Sequence, residues 1–199
     1  MSRVPDPELF PLFLRLEGRR VLVVGGGAVG ERKARELLAA GAEVVVVATK
    51  PTPWLASEAE HDRLALHRRA FSPRDLEGAW LVIAATNEPR VNARIARAAE
   101  KRRVFVNAVD DPERCSALFG AIVRRDPFTI AISSRGEAPA LSRLLREVLS
   151  QVLPEERWVE RARALRARWK SRKTPMASRF AELVADFARG ASHDRKKER

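Results

Sequence analysis

Apolar residues fall in short runs separated by glycine, proline or amphipathic stretches, and strand-like and helix-like spacing alternate along the first half of the chain. Val21-Leu22-Val23-Val24 is a β-branched run of the kind that forms a buried strand. Gly25-Gly26-Gly27-Ala28-Val29-Gly30 follows. Through the next stretch, Glu31 to Ala40, Ala34, Leu37 and Leu38 continue a helical spacing begun at Val29, and Gly41 supplies a stop. Glu43 to Ala48 predicts a second strand. Strand, glycine turn, helix and strand within about thirty residues make the βαβ unit from which parallel sheets are built.

The alternation continues with a short helix over Pro53–Asp62, a third strand at Leu64–His67 and a fourth at Trp80–Ala85. A helix over Pro89–Lys101 and a fifth strand at Val104–Val106 complete it. Five strands with intervening helices predict an open, doubly wound α/β sheet of the Rossmann type. After Pro112 the pattern changes. Leu118–Val123 and Phe128–Ser133 are joined by Arg124-Arg125-Asp126-Pro127, too short for a helix, so they predict an antiparallel pair. Pro139 opens a helix with an apolar stripe of Leu141, Leu144, Leu145, Val148, Leu149 and Val152, closing near Pro154. Two Arg-rich amphipathic helices follow, about 155–170 and 175–189, in which Trp158, Trp169 and Phe180 are expected to be core. The expected organisation is a parallel-sheet domain over 1–112, a small β–α dimerisation region over 113–153, a helical domain over 154–190 and a disordered basic tail over 191–199. The unpaired edge of the antiparallel strands argues for a homodimer.

Composition narrows the setting. With 199 residues, 45% of them hydrophobic, the chain can bury a core. No apolar run approaches the roughly 18 residues of a membrane span. Pro5, Asp6, Pro7 and Glu8 interrupt the place a signal peptide would use, so a cytoplasmic location is expected. Cys115 is the single cysteine and can form neither an internal disulfide nor a zinc site by itself. His61 and His67 are poorly spaced as ligands, and no metal site is expected.

Charge adds a preference for anions. Thirty-eight Lys and Arg against 26 Asp and Glu give a net charge of +12. Such a surplus suits nucleic acid, anionic lipid, or small molecules rich in carboxylates or phosphates. Much of it lies between Arg157 and Arg199, where it reads as a solvated basic face. A nucleic-acid binder using the basic tail is a further reading, although the sequence carries no nucleic-acid recognition motif.

Gly25-x-Gly27-x-x-Gly30 has a strand before it and a helix after it. In this setting Gly25 permits the tight turn, Gly27 a close backbone approach to a pyrophosphate, and Gly30 close helix–sheet packing. The phosphates would rest on the helix N-terminus, at Ala28 and Val29. The acidic residue expected after the second strand is replaced by Ala48-Thr49-Lys50. Thr49 can meet a ribose hydroxyl and Lys50 a phosphate, which leaves both NAD and NADP open on chemistry alone. The ends of the fourth and fifth strands carry Thr86-Asn87 and Asn107-Ala108-Val109-Asp110-Asp111, at the sheet edge where ligands bind. Asp110 is a candidate base there, while Asn87 and Asp111 also suit a turn or helix cap.

Several strings together, Leu9-Phe10-Pro11-Leu12-Phe13, Val24 to Ala34, Ala84 to Asn87, Asn107 to Asp110, Ile130 to Ser134 and Ala138 to Arg146, resemble the N-terminal module of siroheme synthase, in its order. The resemblance implies oxidation of precorrin-2 to sirohydrochlorin with NAD, in some members with ferrous iron insertion as well. It assigns the matching aspartate to Asp110, as proton acceptor or as the residue helping to strip pyrrole protons during metal insertion, and the matching serine to Ser134, near the macrocycle's carboxylates. Thr86 and Asn107 fall in its cofactor-contacting strings. No methyltransferase module is expected, since the sequence ends at Arg199. The pattern departs where a glycine pair is usual and Arg135-Gly136 stands, and where Ala117 and Gly120 replace a Phe and a Pro. Arg135 either clamps a substrate carboxylate or narrows the site. An alternative reading is a non-catalytic module that senses NAD(H).

Overall fold

The computed structural model describes residues 8–154 and 156–194. The chain divides into two compact units, Met1–Phe119 and Gly120–Arg199. That boundary falls beyond the change of sequence pattern at 112.

The first unit is a five-stranded sheet, every pair parallel, built from β1 (Arg20–Val24), β2 (Glu43–Val47), β3 (Ala65–His67), β4 (Leu81–Ala84) and β5 (Phe105–Ala108). The strand order is β3-β2-β1-β4-β5, so the order reverses between β1 and β4. Three helices connect the strands: α1 (Ala28–Ala39), α2 (Pro53–Glu60) and α3 (Pro89–Lys101). The apolar runs are continuous because both faces are covered. Val21, Val23, Val44, Val46, Leu81 and Ile83 pack with Ala34, Leu37 and Leu55 of α1 and α2. Leu22, Val24, Val45, Val47 and Val82 turn the other way, onto Ile95 and Ala99 of α3 and onto Phe71 and Leu76. Each fully buried Leu or Ile, such as Leu22 or Ile83, contributes about 1.5–3 kcal/mol by leaving water.

Proline and capping residues start the helices where the sequence predicts. Pro53 and Pro89 sit in the first turns of α2 and α3, where the missing N–H costs nothing. Thr52 caps α2, its Oγ1 accepting from the Leu55 amide at 3.4 Å. Gly41, with φ +76°, ends the turn after α1.

In the second unit β6 (Ala121–Arg125) and β7 (Phe128–Ile132) pair antiparallel, and α4 (Pro139–Val152) packs against both. A Cβ at Gly120 would lie 2.3 Å from the Ile132 carbonyl oxygen, which explains glycine at this departure from the resembling family. Arg125 donates to the carbonyls of Ser150 and Leu153 at 2.8 and 2.6 Å, neutralising the C-terminal end of α4. The helix turns Ser142 towards the ribbon and leaves its apolar stripe outward, Leu144 at 58% and Val152 at 67% exposed.

α5 (Glu156–Arg172) and α6 (Met176–Asp194) form a helical pair. Trp158 stacks on Phe187 with centroids 4.6 Å apart, Arg161 pairs with Asp186, and Trp169 Nε1 donates to Glu182 at 2.6 Å. The expectation of core positions needs correction here. Trp158 and Trp169 are only half-buried and Phe180 is 74% exposed, because two helices share a single face and Phe180 lies off it. Helix α6 continues four residues into the segment expected to be a disordered tail; 195–199 lie outside the described residues.

Candidate functional site

The carboxyl ends of β1, β2 and β4 bound a cleft of about 290 Å³ at the point where strand order reverses. Each glycine of the loop after β1 has a different physical reason. Gly25 has φ +120°, and a Cβ there would sit 2.2 Å from the Ala85 carbonyl oxygen. At Gly30 a Cβ would meet the Gly25 carbonyl oxygen at 2.1 Å, so α1 approaches the loop backbone directly. Gly27 is the opposite case: it is exposed, and a Cβ would meet nothing within 4 Å. Its face opens into the cleft.

Sequence reasoning gave Gly26 no role. A Cβ there would lie 2.7 Å from Ala48 Cβ and Pro51 Cα, and the Gly26 carbonyl accepts from the Thr52 amide at 2.9 Å. This middle glycine seats the loop after β2, which carries Thr49 and Lys50, against the glycine turn. Nothing in a single sequence separates it from its two neighbours.

Ala28, Val29 and Gly30 form the first turn of α1, whose amides have no intrahelical acceptors and whose dipole favours an anion. Glu31 in the same turn is held below the usual carboxylate range by the Thr52 hydroxyl and Arg35. Arg35 lies over the Trp54 ring at 3.7 Å, which keeps that pairing on the outer side of the helix pair.

The cleft brings together Gly25, Gly27, Thr49, Lys50 and Thr86, with Arg69 and Phe71 from the segment after β3. Thr86 is fixed by Asn92, a residue the sequence reading missed. Asn92 Oδ1 accepts from the Thr86 amide at 3.2 Å and from its hydroxyl at 2.7 Å, while Nδ2 donates to the Thr86 carbonyl at 3.0 Å. The buried amide thus shapes the loop between β4 and α3. Arg69 is likewise held, donating to both oxygens of buried Asp75 at 2.9 and 2.6 Å, which keeps Asp75 below the usual carboxylate range.

Asn107 is placed elsewhere. It is 8% exposed on β5, and its Nδ2 donates to the Ala117 carbonyl at 2.9 Å, outside the cleft lining. Beside it, the Cys115 thiol is pushed up by burial and donates to the Ala108 carbonyl at 3.3 Å. Asp110 lies two residues beyond β5, as Thr86 lies two beyond β4, and the register pairs Ala84 with Ala108. It is exposed, with φ +61°, and among the described residues its carboxylate has no hydrogen-bond or ion-pair partner.

Ser134 and Arg135 belong to the second unit. Ser134 Oγ accepts from the Ala138 amide at 3.2 Å and pairs with Ser142 Oγ at 3.0 Å, tying β7 to the start of α4. Arg135 is exposed, with φ +54°, and makes no side-chain ion pair among the described residues.

An open parallel sheet, a glycine turn into a helix and a cleft at the reversal of strand order define a dinucleotide-binding protein of the Rossmann class. The open face of Gly27 and the free amides after it fit a pyrophosphate. The chain belongs to the NAD(P)-binding family whose model matches residues 12–121. Siroheme synthase 3 of Aeromonas hydrophila subsp. hydrophila is 45% identical over 174 residues, 86% of this chain and 37% of that protein. Siroheme synthase 2 of Yersinia enterocolitica is 49% identical over 148 residues, 74% of this chain and 31% of that protein. The resemblance to siroheme synthase therefore holds, and the chain spans about a third of the length of these curated relatives. The solved structure of SirC, precorrin-2 dehydrogenase, aligns with a TM-score of 0.71 at 23% identity, covering 89% of this chain and 88% of that one, and shows the same fold.

Proposed function

We propose that the chain oxidises precorrin-2 to sirohydrochlorin with NAD+ in siroheme biosynthesis. The observation that carries this is the cleft at the β1–β4 reversal, with Gly27 open to it, in a chain whose relatives are named siroheme synthases. The reaction removes one hydride and one proton from the macrocycle. When bound, the nicotinamide accepts the hydride. Gly25, Gly27, Ala28 and Val29 hold the pyrophosphate, Thr49 meets the ribose, and the Asn92-fixed loop at Thr86 borders the cofactor. Asp110 takes the proton at its carboxylate. Ser134 and Arg135 contact the substrate's carboxylates, and a net charge of +12 draws a polycarboxylate towards the protein.

Ferrous iron insertion, the second activity the resemblance implies, would use the macrocycle as the ligand set. Among the described residues no group of three or more His, Cys, Asp or Glu side chains gathers to hold a metal.

The working form in this proposal is a homodimer in the cytoplasm. A helix such as α4, with Leu141, Leu144, Leu145, Val148 and Val152 facing outward, is an apolar surface suited to a second copy. No helix of the described residues is long and apolar enough to cross a membrane, and Cys115 is a free thiol.

Absorbance spectroscopy with precorrin-2 and NAD+ tests the function. The expected result is NADH formation in step with the sirohydrochlorin chromophore, at a KM that rises with ionic strength as exposed charges are screened. Cofactor binding without a new chromophore would make the chain a sensor and overturn the proposal.

A further inference from the structure

The adenosine end of the cleft has the opposite charge from an NAD-selective pocket. In open α/β sheets a carboxylate after the second strand accepts from the ribose 2′-hydroxyl, whereas a basic side chain accommodates a 2′-phosphate. Here β2 runs into Thr49 and Lys50, both lining the cleft. Among the described residues Lys50 has no ion-pair partner, so its charge is free for a ligand.

The neighbouring strand delivers a second cation to the same place. Val47 pairs with His67 in parallel register, and the Ala48 amide donates to the His67 carbonyl at 3.1 Å. Beyond that pairing the chain turns, the Arg69 amide donating to the His67 carbonyl at 2.9 Å, and Arg69 lines the same cleft as Thr49 and Lys50. Its guanidinium is held by Asp75 and by the Ala70 carbonyl at 3.1 Å, so little rotamer freedom remains to be lost on binding. Asp75 itself is not a lining residue, and its oxygens are taken by Arg69 and the Ser72 amide. The single carboxylate of the lining is Glu88, in the loop after β4 and across the reversal point from β2.

We propose that Lys50, Arg69 and Thr49 form a 2′-phosphate subsite, so that this chain accepts NADP+ alongside NAD+. The inference rests on the reading of the cleft as a dinucleotide site. Lys50 supplies the uncompensated charge, Thr49 a hydroxyl that can donate to a phosphate or pair with a ribose hydroxyl, and Arg69 a fixed positive wall.

Calorimetric titration of the whole chain with AMP and with adenosine 2′,5′-bisphosphate isolates the subsite, and NAD+ and NADP+ read it in the complete cofactor. The bisphosphate is expected to bind about tenfold or more tightly than AMP, a gain of about 1.4 kcal/mol. That advantage should shrink with added salt. NADP+ is expected to bind within about tenfold of NAD+ or better. In Lys50→Glu the preference for the bisphosphate over AMP should vanish or invert; a far-ultraviolet spectrum matching the parent shows that the fold is kept. Equal binding of AMP and the bisphosphate, NAD+ binding with no measurable NADP+ binding, or a preference unchanged in Lys50→Glu would each overturn the subsite alone. Failure of all four nucleotides to bind would overturn the dinucleotide reading of the cleft and the subsite with it.

Discussion

Replacing Gly26 by Ala and Gly27 by Asp separates the tasks of two adjacent glycines. At Gly26 a new Cβ meets Ala48 Cβ and Pro51 Cα at 2.7 Å and the Lys50 carbonyl oxygen at 2.9 Å, where ordinary contact begins at 3.4 Å. Two of those atoms are backbone, in the segment fixed by the Thr52 amide on the Gly26 carbonyl. Relief therefore requires the loop after β2 to move by about half an ångström or more, an overpacking cost of about 1–3 kcal/mol. For a chain of this size that lowers Tm by roughly 2–12 °C. Gly27 is the N-cap of α1, with φ −81° and ψ −173°, and its Cβ enters open space. Aspartate is a preferred N-cap, so Gly27→Asp keeps Tm or raises it slightly. Its charge faces the pyrophosphate position; like charges about 4 Å apart at an effective dielectric near 20 repel by about 4 kcal/mol before salt screening. An affinity loss on the order of 10²-fold or more follows. Differential scanning fluorimetry gives the first quantity and calorimetry with NAD+ the second. Native cofactor affinity in Gly27→Asp, or a Tm loss equal to that of Gly26→Ala, would refute the assignment of these two roles.

Asp110→Asn keeps size and polarity but removes the base, so precorrin-2 oxidation should fall on the order of 10²-fold in stopped-flow absorbance while NAD+ binding persists; wild-type turnover would make water the acceptor. Asn92→Ala leaves the Thr86 amide and carbonyl unpaired, at a cost of about 1–3 kcal/mol in chemical denaturation, and should raise the Kd for NAD+. Arg69 depresses the Asp75 pKa, so this pair's stabilisation is present above the ordinary carboxylate value, about pH 4, and is lost as pH falls through the lower folded value. A Tm–pH series on Asp75→Asn should accordingly show a shallower acid limb than the parent. Leu144→Glu combined with Val148→Glu should turn a dimer into a monomer in sedimentation velocity, and a parent that sediments as a monomer would remove the proposed interface.

The sheet is legible in the sequence because a parallel strand buried on both faces leaves an uninterrupted apolar run, as at Val21–Val24 and Val44–Val47. Gly25 and Gly30 are legible because strand and helix bracket the turn. The supporting residues are not. Asn92 lies on a helix whose period marks only its apolar face, and its tie to Thr86 depends on how the preceding loop folds back. Asn107 is expected as a ligand contact from its position at a strand end; the bond its Nδ2 donates to the Ala117 carbonyl depends on how the chain returns after β5 and is not legible in the sequence. Phe180 sits at helical spacing with other apolar residues, but spacing defines a face without saying whether anything covers it.

The place of β1 in the sheet also bears on how the chain is made. Of the five strands of this sheet β1 is synthesised first, yet it lies at the centre, with Val21 beside Val44 on one side and Leu81 on the other. During elongation β2 and β3 can dock early, while the second edge of β1 stays open until residues 81–84 leave the ribosome. For that interval a run of valine and leucine presents unsatisfied backbone groups, the configuration in which nascent chains pair wrongly with one another. The open edge of β1 is thus exposed to mispairing for longer than any other edge of the sheet's centre, until β4 closes it.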